Sequence, residues 1–86
     1  MNELYYFKLK NCPYCIRANN YLEELLQEER YKSIQIRHID EQIEQDLANS
    51  YDYYLVPSFF LNDRKLFEGI MTKEDVIQVL EEVLKK

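Results

Sequence analysis

The sequence has little of several features that would each indicate a particular class of protein. Its 86 residues include one Gly, two Pro and no Trp, so most of the chain can form regular helices and strands. Eleven basic residues stand against 16 acidic ones, and the net charge is −5. No block of basic residues interleaves with aromatics, which argues against a nucleic-acid partner.

Long apolar runs are also missing. The longest apolar stretch is Leu55-Val56 followed, after Pro57-Ser58, by residues 59–61. It is far shorter than the roughly 20 residues that span a bilayer, so no membrane partner is expected. The N-terminus carries Glu3 where a secretory signal would carry positive charge. We therefore predict a cytoplasmic protein. In that reducing compartment, two cysteines are better explained by catalysis or metal binding than by a permanent disulfide.

The chain does contain enough apolar material for a packed core, because 47% of its residues are hydrophobic and 14% are aromatic. A chain of this length makes one domain, which we place at residues 1–86. Since no feature of the sequence indicates an oligomer, a monomer is expected.

Hydrophobic periodicity predicts seven elements in the order β-α-β-α-β-β-α. Strands are predicted at residues 4–7, 33–40, 58–61 and 65–68. Helices are predicted at 13–29, 41–50 and 72–84, and Asp40 is a candidate cap for the second. The strand-helix-strand unit requires a parallel pair, and the hairpin adds an antiparallel edge. The predicted fold is α/β, a four-stranded mixed sheet of order 2-1-3-4 with helices on both faces.

The two cysteines occur at the corner between the first strand and the first helix, in Cys12-Pro13-Tyr14-Cys15. Pro13 favours the first helical position, which puts Cys12 at the helix N-terminus. Unpaired N–H groups and the helix dipole there favour thiolate over thiol. Cys15 lies one turn on, where its sulfur can come back beside that of Cys12. We predict that Cys12 attacks a substrate disulfide and that Cys15 resolves the mixed disulfide.

Three other interpretations of the cysteines compete with redox chemistry. Free cysteines often pack simply as small buried hydrophobes. A structural zinc site normally needs four ligands, and the only other good nitrogen or sulfur donor is His38, in the middle of a predicted strand. A structural disulfide would suit a secreted protein better. Redox exchange is the leading hypothesis, with no metal and no obligatory prosthetic group.

Pro57 is the second informative residue, because proline is poorly tolerated within strands and this one begins a strand. A cis bond from Val56 to Pro57 would leave the backbone of Val56 unpaired and facing Cys12. It could then hold an extended substrate segment by main-chain hydrogen bonds. The alternative is an ordinary edge-strand proline.

These two motifs resemble the active-site tetrapeptide and the cis-proline motif of the glutaredoxins, and the resemblance covers essentially the whole chain. It implies the thioredoxin fold, thiol-disulfide exchange in cell redox homeostasis and electron transport, and glutathione as co-substrate. It also implies partners: disulfide-containing proteins, glutathione mixed disulfides and a reductase. The residues that the resemblance places at the substrate or glutathione site are Lys8, Lys10, Tyr14, Val56, Pro57 and Gly69.

The chain departs from the glutaredoxin pattern at several positions. Leu9 holds the usual Lys position, Leu55 replaces a Thr, and Glu68-Gly69 replaces a Gly-Gly pair. A carboxylate at Glu68 would lie near the expected position of anionic glutathione, which predicts weak affinity for it. Asp75 could match the family's glutathione-binding Asp, or it could belong to a helix-capping pattern.

The sequence leaves three alternative functions open. The first is a thioredoxin-like dithiol reductase that does not depend on glutathione. The second is an iron-sulfur carrier that binds a cluster through Cys12 and glutathione, although Pro13 disfavours it. The third is a non-catalytic binding module that retains the fold.

Overall fold

The structure is a computed structural model, and it describes residues 3–85. Its elements follow the predicted order: β1 (Glu3–Lys8), α1 (Pro13–Leu25), β2 (Gln35–Asp40), α2 (Gln45–Asn49), β3 (Ser58–Leu61), β4 (Arg64–Glu68) and α3 (Lys73–Leu84). Within this described part of the chain, no helix is long and apolar enough to cross a membrane.

The four strands form one sheet in the order β2-β1-β3-β4, which confirms the predicted topology. β1 pairs in parallel with β2, where Tyr6 lies opposite His38. It pairs antiparallel with β3, where Tyr6 lies opposite Phe59. β3 and β4 form an antiparallel hairpin, and Asn62 in its turn has φ 58, a conformation that Asn tolerates well. β1 is therefore a central strand, and its C-terminal end leads to Cys12.

The sheet has an apolar cluster on each face, because successive side chains of a strand point to opposite sides. Leu4 and Tyr6 belong to the larger cluster, which also contains buried apolar residues of α1 and α3, such as Leu22 and Leu80. The smaller cluster lies on the other face and consists of Phe7, Ile39, Ala48 and Phe60. Helices therefore cover both faces, as predicted.

The first two helices are shorter than predicted. α1 ends at Leu25 rather than at residue 29, because the N–H groups of Gln27 and Glu28 donate to carbonyls three residues back and tighten the chain into turns. Asp40 does not cap α2. Its Oδ1 instead accepts the N–H of Gln42 at 2.8 Å, which favours a turn over residues 41–44. α2 consequently begins only at Gln45.

α3 begins with a capping box. Thr72 Oγ1 accepts the N–H of Asp75 at 3.2 Å, and Asp75 Oδ2 accepts the N–H of Thr72 at 2.9 Å. Each side chain thus satisfies a backbone donor that would otherwise lack a partner. The structure confirms the capping interpretation of Asp75.

Candidate active site

Cys12 is the N-cap residue of α1. Its backbone is extended, with φ −82 and ψ 118, and Pro13 follows as the first helical residue. Cys12 Sγ accepts the backbone N–H of Cys15 at 3.3 Å. The sulfur therefore occupies the position that a Ser or Asp oxygen takes in an ordinary helix cap. A negative charge on this sulfur is stabilised both by the N–H donor and by the positive end of the helix dipole.

Cys15 has a different environment from Cys12, although both are free thiols. The Cys15 side chain is fully buried, whereas Cys12 is partly exposed. Burial, together with the neighbouring sulfur of Cys12, raises the pKa of the Cys15 thiol well above its usual range. Cys15 therefore keeps its proton at neutral pH. The site contains one accessible sulfur and one buried sulfur, joined through the first turn of α1.

Tyr6 supports this turn from the sheet. Its hydroxyl lies 3.2 Å from the carbonyl oxygen of Cys15 and 2.7 Å from Asn19 Oδ1. The ring is fully buried and stacks on Phe59, with 4.7 Å between centroids. Burial, followed by the nearby cysteines, raises the pKa of the Tyr6 hydroxyl, which therefore remains a neutral hydrogen-bonding group. This role of Tyr6 is not visible in the sequence, because one tyrosine in a β-favouring run gives no indication of its hydrogen-bond partner.

The Val56-Pro57 peptide bond is cis, as the strand-start proline suggested. Pro57 is buried, and its carbonyl oxygen accepts the N–H of Gly69 at 2.8 Å. Between residues 3 and 85, no hydrogen bond joins the N–H or C=O of Val56 to another residue. Both groups are thus free to pair with an extended peptide.

Gly69 has a backbone role beside Pro57. Its φ is +96, a conformation that residues with a side chain rarely adopt. A Cβ built on it would approach Leu55 Cδ1 to 3.3 Å. Gly69 therefore allows the chain to leave β4 close to the loop that precedes Pro57.

Glu68 is a further residue of this region whose role the sequence did not reveal. Its Oε2 accepts the N–H of Tyr54 at 2.5 Å and that of Leu55 at 2.7 Å. Its Oε1 accepts from Lys65 Nζ at 2.6 Å. These donors lower the pKa of the Glu68 carboxyl, with Lys65 as the largest cause. The Glu68 carboxylate is therefore hydrogen-bonded within the protein, and the weak affinity for glutathione expected from its charge stays a prediction.

The two candidate lysines differ in their contacts. Lys8 Nζ lies 3.1 Å from His38 Nδ1 and 5.6 Å from the centroid of the Tyr6 ring. Partial burial and the charge of Lys8 lower the pKa of His38, so His38 is a neutral acceptor on the edge strand β2. Lys10 is exposed and lines a pocket of about 230 Å³ together with Cys12. The remaining residues of that pocket are Leu9, Asn11 and Gln42.

The rim of the site carries exposed apolar side chains. Tyr14 is 43% exposed in the first turn of α1, and Leu55 is 60% exposed just before the cis-proline. Two nearby tyrosines, Tyr51 and Tyr53, instead turn inward and contact Phe7. Among residues 3–85, no group of three or more His, Cys, Asp or Glu side chains could hold a metal ion.

Comparison with known families and structures supports this description of the fold. A family profile described as a thioredoxin domain matches residues 8–81. The solution structure of the oxidised thioredoxin from Plasmodium falciparum superposes with a TM-score of 0.75 at 16% identity, over 95% of this chain and 80% of that one. A malarial protein gives a TM-score of 0.75 at 20% identity, over 95% and 96% of the two chains.

An uncharacterised thioredoxin-like protein from Clostridium perfringens is also similar. Its TM-score is 0.67 at 27% identity, over 95% of this chain and 70% of that one. The curated proteins contain no significant match. The predicted thioredoxin fold is confirmed by these likenesses, and the adjacent cysteine pair in such a domain supports a thiol oxidoreductase.

Proposed function

The chain belongs to the thioredoxin-domain family, and on that premise we propose that it reduces disulfide bonds by dithiol exchange, with Cys12 as nucleophile and Cys15 as resolving thiol. One observation carries the proposal: the sulfur of the partly exposed Cys12 caps the helix, and the buried Cys15 thiol, which retains its proton, lies beside it. Because their environments differ, the two cysteines have different reactivities.

The reaction proceeds in two exchanges. The Cys12 thiolate attacks one sulfur of a substrate disulfide, forming a mixed disulfide and expelling the other substrate sulfur as a thiolate. Cys15 then loses its proton, for which the departing thiolate is a suitable base, and attacks Cys12 Sγ. This step forms the Cys12–Cys15 disulfide and releases the second substrate sulfur as a thiolate. The substrate gains two electrons, and an external thiol or a reductase must restore the protein.

The backbone of Val56 supplies a place for the substrate. An extended segment beside the disulfide can pair with the free N–H and C=O of Val56, next to Cys12 in the proposed complex. Pro57 and Gly69 support this geometry, because a hydrogen bond joins their backbones.

At a finer level, we propose a glutaredoxin-like reductase with glutathione as co-substrate and with protein disulfides or glutathione mixed disulfides as substrates. The tetrapeptide at residues 12–15 supports this assignment, as do the exposed Tyr14 and the pocket that Lys10 shares with Cys12. Lys8 would have to leave His38 to contact glutathione. That contact favours a second candidate, a thioredoxin-like reductase that does not use glutathione.

Two cysteine variants test the proposal. Cys12→Ser should abolish disulfide reductase activity, because no other accessible sulfur exists in residues 3–85. Cys15→Ser should still form mixed disulfides and, if glutathione is the donor, should still reduce glutathione mixed disulfides. Activity retained in Cys12→Ser would refute the proposed mechanism.

The electron donor is tested separately, with the wild-type protein and an oxidised peptide as substrate. One reaction receives glutathione and glutathione reductase, and the other receives thioredoxin reductase; both contain NADPH. Turnover with glutathione supports the glutaredoxin-like assignment. Turnover only with thioredoxin reductase contradicts that assignment and supports the second candidate.

A further inference from the structure

The loop that precedes the cis-proline is packed against the protein at its two ends but is exposed in between. Upstream, Tyr53 packs its ring against Phe7, and downstream Pro57 is buried. Between these anchors, Tyr54 and Leu55 are 88% and 60% exposed, so only a small part of each residue packs against the protein. The position of this stretch therefore depends on hydrogen bonds to its backbone.

Glu68 provides two of these bonds, to the N–H groups of Tyr54 and Leu55. Its side chain is only 17% exposed, and Lys65 holds the second carboxylate oxygen. Hydrogen bonds to an ionised carboxylate are shorter and stronger than those to a neutral acceptor. The carboxylate is thus well placed to immobilise an otherwise loosely packed stretch.

We propose that Glu68 is a positioning residue for the substrate: it fixes Tyr54 and Leu55 so that the free backbone groups of Val56 are presented to the substrate chain. This inference rests on the proposed function. Glu68 ends β4, where it lies opposite Ser58 in the sheet register. The Ser58 hydroxyl in turn donates to the carbonyl oxygen of Leu55. Residues of β3 and β4 therefore both bind the backbone of the loop that precedes the cis-proline.

The test compares Glu68→Ala with Glu82→Ala, a matched control. Glu82 is a carboxylate of α3 that pairs with Arg64 and contacts no residue of the loop. With an oxidised peptide as substrate, Glu68→Ala should raise KM about tenfold and change kcat less than about twofold. The rate at which iodoacetamide alkylates Cys12 should stay unchanged, because this small reagent reacts with the sulfur without binding to the loop. The control should match the wild type in all three measurements.

A second control separates the ion pair from the loop bonds. Lys65→Met removes the cation and leaves both backbone bonds in place, so KM should rise much less than in Glu68→Ala. An equal rise in KM would overturn the inference. If Glu68→Ala does not fold, Glu68→Gln keeps the size of the side chain, and KM should rise about threefold because the amide is a weaker acceptor.

Amide hydrogen exchange followed by NMR tests the same point without any substrate. The amides of Tyr54 and Leu55 should exchange faster in Glu68→Ala than in the wild type. Unchanged exchange would overturn the inference, and so would faster exchange with an unchanged KM, since Glu68 would then be merely structural. A wild-type protein that reduces no disulfide would refute the proposed function instead, and the exchange data distinguish that outcome.

Discussion

At the scale of single residues, the site depends on a contrast between two sulfurs three positions apart. Cys12 is partly exposed and caps a helix, whereas Cys15 is fully buried and has a raised pKa. Only a thiolate reacts readily with alkylating reagents or disulfides. The two residues should therefore be chemically distinguishable in the reduced protein.

Alkylation measures this contrast. With iodoacetamide at pH 7, Cys12 should react at least about tenfold faster than Cys15, because Cys15 is protonated and inaccessible. Peptide mass spectrometry over time gives both rates. In denaturant the two rates should converge, which serves as the control. Equal rates in the folded protein would contradict the described burial.

The sequence predicted those site residues whose type alone restricts their role. Cys12 and Cys15 have few uses at a strand-to-helix corner, and Pro57 restricts the backbone wherever it stands. Glu68 and Tyr6 could not be assigned in the same way. Their partners are a distant loop backbone and the first turn of α1, and only the packed sheet brings these groups together.

At the scale of elements, the N-terminus of α3 depends on its capping box. Thr72→Ala removes the oxygen that accepts the N–H of Asp75, and it should lower the free energy of unfolding by about 1 kcal/mol. Urea unfolding followed by circular dichroism checks this value. Thr72→Ser keeps the hydroxyl and should retain most of the stability. No difference between Thr72→Ala and the wild type would show that the cap contributes little.

Strands and helix ends differ in how well the sequence predicts them. The sequence predicts a hairpin strand at residues 58–61, and the structure confirms it; the apolar residues of this strand are bounded by a proline and a polar turn. The sequence predicts too early a start for α2, because the carboxylate of Asp40 can either cap a helix or form a turn. The choice depends on where β2 ends in the sheet, which local sequence does not specify.

At the scale of the whole molecule, the Cys15 thiol and several wholly or partly buried tyrosine hydroxyls link stability to pH. Burial is the largest cause of the raised pKa of Cys15, Tyr6 and Tyr53, and the Tyr53 hydroxyl also donates to Glu41 Oε1 at 2.8 Å. In the unfolded chain these groups ionise near their ordinary pKa values, about 8.5 for Cys and 10 for Tyr. The folded state therefore binds more protons at alkaline pH.

It follows that these groups contribute their full share of the free energy of unfolding below about pH 8.5. That contribution falls as pH rises towards their folded-state pKa values. The urea midpoint of the reduced protein should be highest at pH 7, lower at pH 9 and lowest at pH 10.5. The same decrease should be smaller in Tyr53→Phe, which lacks one of these hydroxyl groups. A constant midpoint across this range would contradict the assigned burial.

The order of the sheet has a consequence for how copies of this chain meet. β2 and β4 are its two open edges, where unpaired backbone groups could accept a strand from another molecule. Exposed charged side chains stand on both: Arg37 on β2, and Arg64 and Lys65 on β4. Each of these cations pairs with a carboxylate, Arg37 with Glu44, Arg64 with Glu82 and Lys65 with Glu68. Joining two copies edge to edge would remove water from these charged pairs, so the charged side chains oppose aggregation at both edges.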